Sequence, residues 1–171
     1  MKKLFSVIDL TSENFDELVV MKSPETLWVV DFFANWCGPC LQMAGEYSRF
    51  GRLVFDVPNV KIGKVDCAVY AETCRKYNIR SYPSIMFIGQ GNMGNAHHVL
   101  YPSGWSRDAG SFRQWLYSQM PSRVENLNYQ SFHKLLFSDK PWIIDFFSPN
   151  CGFCRTFAPD FEDIANVSLL G

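Results

Sequence analysis

Three observations predict an α/β fold. Strand-like and helix-like stretches alternate along the chain. Two runs, Leu27-Trp28-Val29-Val30-Asp31-Phe32-Phe33 and Trp142-Ile143-Ile144-Asp145-Phe146-Phe147, are continuous and apolar, the pattern of strands covered on both faces. Each run leads into a Cys-x-x-Cys, Cys37-Gly38-Pro39-Cys40 and Cys151-Gly152-Phe153-Cys154, and a helix-compatible segment follows each. The 171 residues suffice for one full domain with a sizeable core and part of a second.

The elements follow in order. The stretch Met1 to Asp9 reads as a first strand, and Leu10-Thr11-Ser12-Glu13-Asn14-Phe15 as a helix start with Thr11 as N-cap. Leu10 and Phe15 have the spacing of a hydrophobic staple. After the Trp28–Phe33 strand and the Cys37 helix come a strand near Val60–Asp66, a helix near Tyr70–Tyr77 and a strand near Ser84–Ile88. A turn-rich hairpin loop, Gly89 to Asn95, joins it to a strand near His98–Tyr101, and a helix near Arg107–Met120 closes the unit. Pro121-Ser122-Arg123 reads as a linker.

The chain then repeats itself. Leu127-Asn128-Tyr129-Gln130-Ser131-Phe132 aligns with Leu10–Phe15, with Asn128 as N-cap; Trp142–Phe147 aligns with Trp28–Phe33; Cys151/Cys154 aligns with Cys37/Cys40. A repeat of this length indicates tandem domains, here 1–121 complete and 122–171 the first half of a second. Half a fold leaves a strand and a helix face uncovered, so the second unit is expected to be unstable alone, to aggregate, or to pack against something else, and not to act as an independent catalytic domain.

Net charge is −1, which argues against nucleic-acid binding as a main role. Aromatic residues make up 16 %, which suits a well-packed core or a peptide-binding face. No run is long and apolar enough to span a membrane. The basic start Met1-Lys2-Lys3 precedes an apolar patch shorter than a signal-peptide core, and Ser168-Leu169-Leu170-Gly171 is no retention tetrapeptide. Read literally, the chain is expected to stay in the cytoplasm or to be part of a longer protein.

Six cysteines form three pairs by spacing. A thiol at a helix N-terminus is favoured as thiolate, the form that exchanges with disulfides. Cys37 is thus the expected nucleophile, partly exposed beside Trp36; Cys40, one turn on and on the same face, is the resolving thiol. Pro39 is tolerated in a first helical turn. A zinc knuckle made from both motifs is the alternative, but each motif follows an apolar strand at an equivalent repeat position. No metal or cofactor is expected. Asp31, mid-strand and six residues before Cys37, is costly to bury unless it has a task or is hydrated; a solvated strand-end aspartate is the alternative. His97, His98 and His133 read as surface or loop residues, and Asn166-Val167-Ser168 is a weak glycosylation sequon.

Trp36-Cys37-Gly38-Pro39-Cys40 with Asp31 before it, Val65-Asp66-Cys67, and Arg80-Ser81-Tyr82-Pro83-Ser84 resemble the thioredoxin superfamily in its protein disulfide isomerase branch. Tyr101-Pro102-Ser103-Gly104-Trp105-Ser106-Arg107-Asp108 resembles the tandem thioredoxin domains of J-domain disulfide reductases of the endoplasmic reticulum. The resemblance implies a central mixed sheet flanked by helices and dithiol–disulfide exchange on protein substrates. It implies proton transfer at Cys40 by Asp31, a cis Pro83 facing the site, and an Arg107 that approaches the second cysteine, unless Arg107 is a solvated helix-start residue. It suggests a structural Cys67–Cys74 disulfide; two free buried thiols are the alternative. It also implies misfolded or disulfide-bonded protein substrates, an upstream reductant, a place in the endoplasmic-reticulum lumen, and an Hsp70 chaperone reached only through a J-domain absent from these residues.

The residues between the cysteines bear on direction. Oxidising and isomerising relatives carry histidine there, and neither Gly38-Pro39 nor Gly152-Phe153 supplies one, so reduction is expected over oxidation. A general isomerase and a non-catalytic client-binding module are the competing expectations. Asn35 and Gly45 stand where the pattern has proline or an acid, and a helix-kinking proline; the second unit keeps Pro159 but has Asn150 before Cys151 and Phe153 inside the motif. The second site is therefore expected to be incomplete.

Overall fold

The computed structural model describes residues 7–21, 23–90, 96–120 and 122–167. The chain divides into two compact units, Met1–Gln119 and Met120–Gly171.

In the first unit, β1 (Ile8–Leu10), β2 (Leu27–Phe33), β3 (Val60–Asp66), β4 (Ser84–Gln90) and β5 (Ala96–Leu100) form one sheet in the order β1-β3-β2-β4-β5. β1 and β2 run parallel to β3, β4 runs antiparallel to β2, and β5 antiparallel to β4. The helices are α1 (Gly38–Leu53), α2 (Ala71–Lys76) and α3 (Ala109–Gln119). The sheet is mixed and flanked by helices. Residues 1–6 of the expected first strand, the hairpin loop at 91–95 and Pro121 of the linker lie outside the described residues.

β2 is central and apolar because both of its faces are covered. Trp28, Val30 and Phe32 join Leu10, Phe15, Val19, Val65, Met86 and Ile88 on one side. On the other side, Tyr47 and Phe50 of α1 meet Phe112 of α3, and the Tyr47 hydroxyl lies 3.0 Å from the Val29 carbonyl and 2.9 Å from that of Gly63. Gly63 is required by close packing: a Cβ there would stand 2.6 Å from a Leu10 methyl and 3.0 Å from the Trp28 ring.

The Thr11 turn forms with reciprocal bonds: Asn14 N–H donates to Thr11 Oγ1 (3.3 Å), and Thr11 N–H donates to Asn14 Oδ1 (2.8 Å). A five-residue π-helical turn, Asp16–Val20, follows in place of an α-helix. Leu10 and Phe15 are both buried in the same core. The last helix starts later than expected, at Ala109. Asp108 caps it, accepting from Ser111 N–H (2.9 Å) and Ser111 Oγ (2.8 Å). Arg107 therefore stands outside the helix.

The second unit contains α4 (Tyr129–Leu135) and α5 (Gly152–Val167). Asn128 caps α4 in a reciprocal capping box with Ser131. The expected buried strand at Trp142–Phe147 is not present: residues 141–148 pair with no strand, and Trp142, Ile143, Phe146 and Phe147 are exposed. The reason is the absence of ladder partners. β2 is held between β3 and β4, and no equivalent of either is formed in the described part of this unit. None of the side chains described in this unit is buried.

Candidate active site

β2 delivers the chain to α1, where Cys37 is the N-cap with extended backbone (φ −81°, ψ 110°). Its sulfur accepts the Cys40 N–H at 3.2 Å, and Cys37 N–H donates to the Ala34 carbonyl at 3.0 Å. Pro39 sits in the first turn, where its missing N–H leaves no helical bond unmade. Cys37 and Cys40 are joined as a disulfide with Cα atoms 5.2 Å apart. Helix geometry brings the two sulfurs to one side of the helix start.

The expectation of a partly exposed Cys37 needs correction: it is 6 % exposed. In the disulfide its sulfur is bonded to Cys40, and the pair clusters with Ala34 under Phe33 and Tyr82. Trp36, 71 % exposed, forms the open rim instead, and its ring meets that of Tyr82 edge-on at 6.1 Å.

Asp31 lies inside the sheet, 5 % exposed, between Lys64 of β3 and Ile85 of β4 in register, and its Oδ1 has no hydrogen-bond partner among the described residues. It is not a solvated strand-end residue. Burial pushes its carboxyl from 3.8 up to about 7, against the opposing pull of the Arg107 and Lys64 charges. Such an acid holds or takes a proton near neutral pH.

The Tyr82–Pro83 bond is cis, Pro83 is buried, and a cavity of about 160 Å³ is lined by Pro83, Ser81, Ser84, Ile85, Tyr101 and Arg107, with Leu100 and Ser103. Arg107 is exposed, lines this cavity and acts electrostatically on Asp31. Glu46 of α1 accepts the Ala109 N–H at 2.9 Å and so ties the start of α3 to α1. The Ser106 and Ser111 hydrogen bonds hold the Asp108 carboxyl down at about 2, which keeps this cap ionised. Cys67 and Cys74 are joined as a buried disulfide.

In the second unit, Cys151 and Cys154 repeat the local geometry: a disulfide, Cα atoms 5.2 Å apart, and Cys154 N–H donating to the Cys151 sulfur at 3.2 Å. Their surroundings differ, since both residues are partly exposed, exposed Phe146 and Phe147 precede them and Phe153 between them is 90 % exposed. Ser168 of the sequon lies outside the described residues.

The sequence reading missed Tyr47, Glu46, Asp108, Lys64 and the Tyr82 ring. Asp108 was legible in principle, because an aspartate three residues before Ser111 is a capping signal. Lys64 was not, because its pairing with Asp31 depends on the β2–β3 register.

A mixed five-stranded sheet with a Cys-x-x-Cys disulfide at the start of α1 and a buried acid on the preceding strand defines a dithiol–disulfide site of the thioredoxin-fold oxidoreductase type. Residues 6–101 and 123–168 match the thioredoxin family, and the chain belongs to it. It is 37 % identical over 163 residues to DnaJ homolog subfamily C member 10 of Rattus norvegicus, covering 95 % of this chain and 20 % of that protein. It is 29 % identical over 173 residues to protein disulfide isomerase-like 2-1 of Oryza sativa subsp. japonica, covering 94 % of this chain and 44 % of that one. A crystal structure of ERdj5 (form II) superposes with a TM-score of 0.78 at 33 % identity, over 94 % of this chain and 21 % of that one. The chain thus spans about a fifth of the length of its DnaJ relatives. No helix among the described residues is long and apolar enough to cross a membrane.

Proposed function

We propose that the chain is a protein-disulfide reductase acting through Cys37 and Cys40. The observation that carries this reading is the closed Cys37–Cys40 disulfide at the start of α1, with Asp31 buried on the strand behind it. In the reduced form the Cys37 thiolate attacks one sulfur of a substrate disulfide. The other substrate sulfur leaves as thiolate, and a mixed disulfide remains. Asp31 takes the Cys40 proton; the Cys40 sulfur then attacks Cys37, the Cys37–substrate bond breaks, and the substrate leaves with both sulfurs reduced. Asp31 passes its proton to a departing substrate thiolate, the protein is left as the disulfide, and an upstream dithiol reductant returns two electrons and one proton to restore the Cys37 thiolate and the Cys40 thiol.

Trp36 and the Tyr82–Pro83 segment offer an apolar rim for an extended substrate, and Arg107 supplies positive charge toward Asp31 and the Cys40 thiolate. The Gly38-Pro39 dipeptide favours a reducing pair. The relatives named for the endoplasmic reticulum and for disulfide isomerisation support a place in endoplasmic-reticulum protein quality control, with misfolded, disulfide-bonded proteins as substrates. Cys151 and Cys154 are read as an incomplete second site, because no buried acid stands among the described residues of this unit.

Reduction of insulin by a dithiol-regenerated protein tests the proposal. Cys37→Ala abolishes turnover, and Cys151→Ala/Cys154→Ala retains it. Turnover surviving Cys37→Ala would remove the assignment, and client binding without any turnover would favour the binding module.

A further inference from the structure

Cys67 and Cys74 take no part in that exchange, yet three links tie their bond to the site. Cys67 N–H donates to the Phe33 carbonyl at 2.7 Å, where β2 leaves the sheet toward Cys37, and Phe33 itself packs against the Cys37–Cys40 group. Cys74 anchors the end of α2. Ile79 N–H donates to the Cys74 carbonyl (3.0 Å) and Asn78 N–H to that of Arg75 (2.9 Å), with Asn78 left-handed at φ 54°. This is a Schellman termination, and it sets the direction of the chain toward Tyr82. Finally, Tyr82 packs against both the core containing Cys67 and Cys74 and the small group of Ala34, Cys37 and Cys40.

α2 has six residues, too few to hold itself as a helix. Its position depends on packing and on the cross-link to the end of β3. The Cys67–Cys74 bond is buried, at 3 % and 2 % exposure, so it acts from within the core and not as a second exchange site.

We propose that the Cys67–Cys74 disulfide is a positioning element: through α2 and Tyr82 it holds the Tyr82–Trp36 rim in the arrangement that receives a protein substrate at Cys37. The inference rests on the reading of Cys37–Cys40 as the exchange site. The bond acts on capture of a large substrate and not on the reactivity of the Cys37 sulfur.

The test compares four forms of the full chain: the parent, Cys67→Ala/Cys74→Ala, Tyr82→Ala, and the three substitutions together. Insulin KM and kcat, the rate of Cys37 alkylation by iodoacetamide in the reduced protein, and Tm are measured for each. Removing the bond is expected to raise KM by about three- to tenfold, with kcat and the alkylation rate unchanged. Tyr82→Ala gives a similar rise, and the combined form adds no further rise, because both changes cut the same connection. A lowered Tm with parent KM assigns the bond to stability alone and overturns the proposal; so do effects on KM that multiply in the combined form. Should the double variant fail to fold, Cys67→Val/Cys74→Ala refills the core without the bond, and Tyr82→Ala with parent KM overturns the proposal in either case. A parent that does not reduce insulin refutes the exchange reading and this role with it; an active parent with unaffected variants refutes the role alone.

Discussion

At the residue scale, Asp31 is the most consequential side chain after the cysteines. A carboxyl raised from 3.8 to about 7 costs stability when the pH exceeds its unfolded value. Below about pH 3 the acid is protonated whether folded or unfolded, and the cost is close to nil. The cost grows as pH rises and is complete above about pH 7, where it reaches roughly 4 kcal/mol. Asp31→Asn is therefore expected to raise Tm at pH 8 and to leave it nearly unchanged at pH 3, as calorimetry at the two values would show. In stopped-flow release of a mixed disulfide, the parent rate rises with pH through about 7; the Asn variant loses that step and is slower by about a hundredfold at pH 8. A flat parent profile would deny Asp31 its proton-transfer role. The presence of this acid was legible from its place in an apolar run, but its register between Lys64 and Ile85 was not, because strand pairing is set by residues far along the chain.

The helices and strands show opposite uses of glycine. Gly45 lies inside α1 with open space where a Cβ would stand, so Gly45→Ala is expected to stabilise the chain by about 1 kcal/mol, read as an upward shift in denaturation midpoint. Gly63 in β3 faces Leu10 and Trp28 at contact distances no Cβ tolerates; Gly63→Ala is expected to destabilise by about 1–3 kcal/mol in the same measurement. Equal effects at the two positions would contradict the packing described. The elements of the first unit were legible because their periodicity and punctuation agree with their tertiary placement. The π-helical turn at Asp16–Val20 was not legible: apolar spacing announces a helical segment without distinguishing its hydrogen-bond pattern. The α3 start shows the same limit, since Glu46 of α1 reaches the Ala109 N–H from 63 positions away in sequence.

For the whole molecule, the repeat of sequence produced a partial repeat of structure: the Cys-x-x-Cys and its helix recur, and the strand before them does not. Trp28–Phe33 is a buried strand because β3 and β4 flank it; Trp142–Phe147, with the same apolar character, has no flanking strand among the described residues and is exposed at Trp142, Ile143, Phe146 and Phe147. An apolar run encodes the capacity to be buried, and the rest of the sheet decides whether it is. Limited trypsin digestion is expected to cleave after Arg123 or Lys134 while the unit ending near Gln119 survives, as mass spectrometry of the fragments would show. A protease-resistant second unit would contradict the reading of it as an incomplete domain. The central claim, a reducing dithiol at the head of α1, is tested most directly by the midpoint potential of the Cys37–Cys40 pair, from equilibration in dithiol or glutathione buffers, alkylation trapping and mass spectrometry. A value near about −270 mV, as in thioredoxin, is predicted; a value near about −180 mV, as in protein disulfide isomerase, would contradict the reductase assignment.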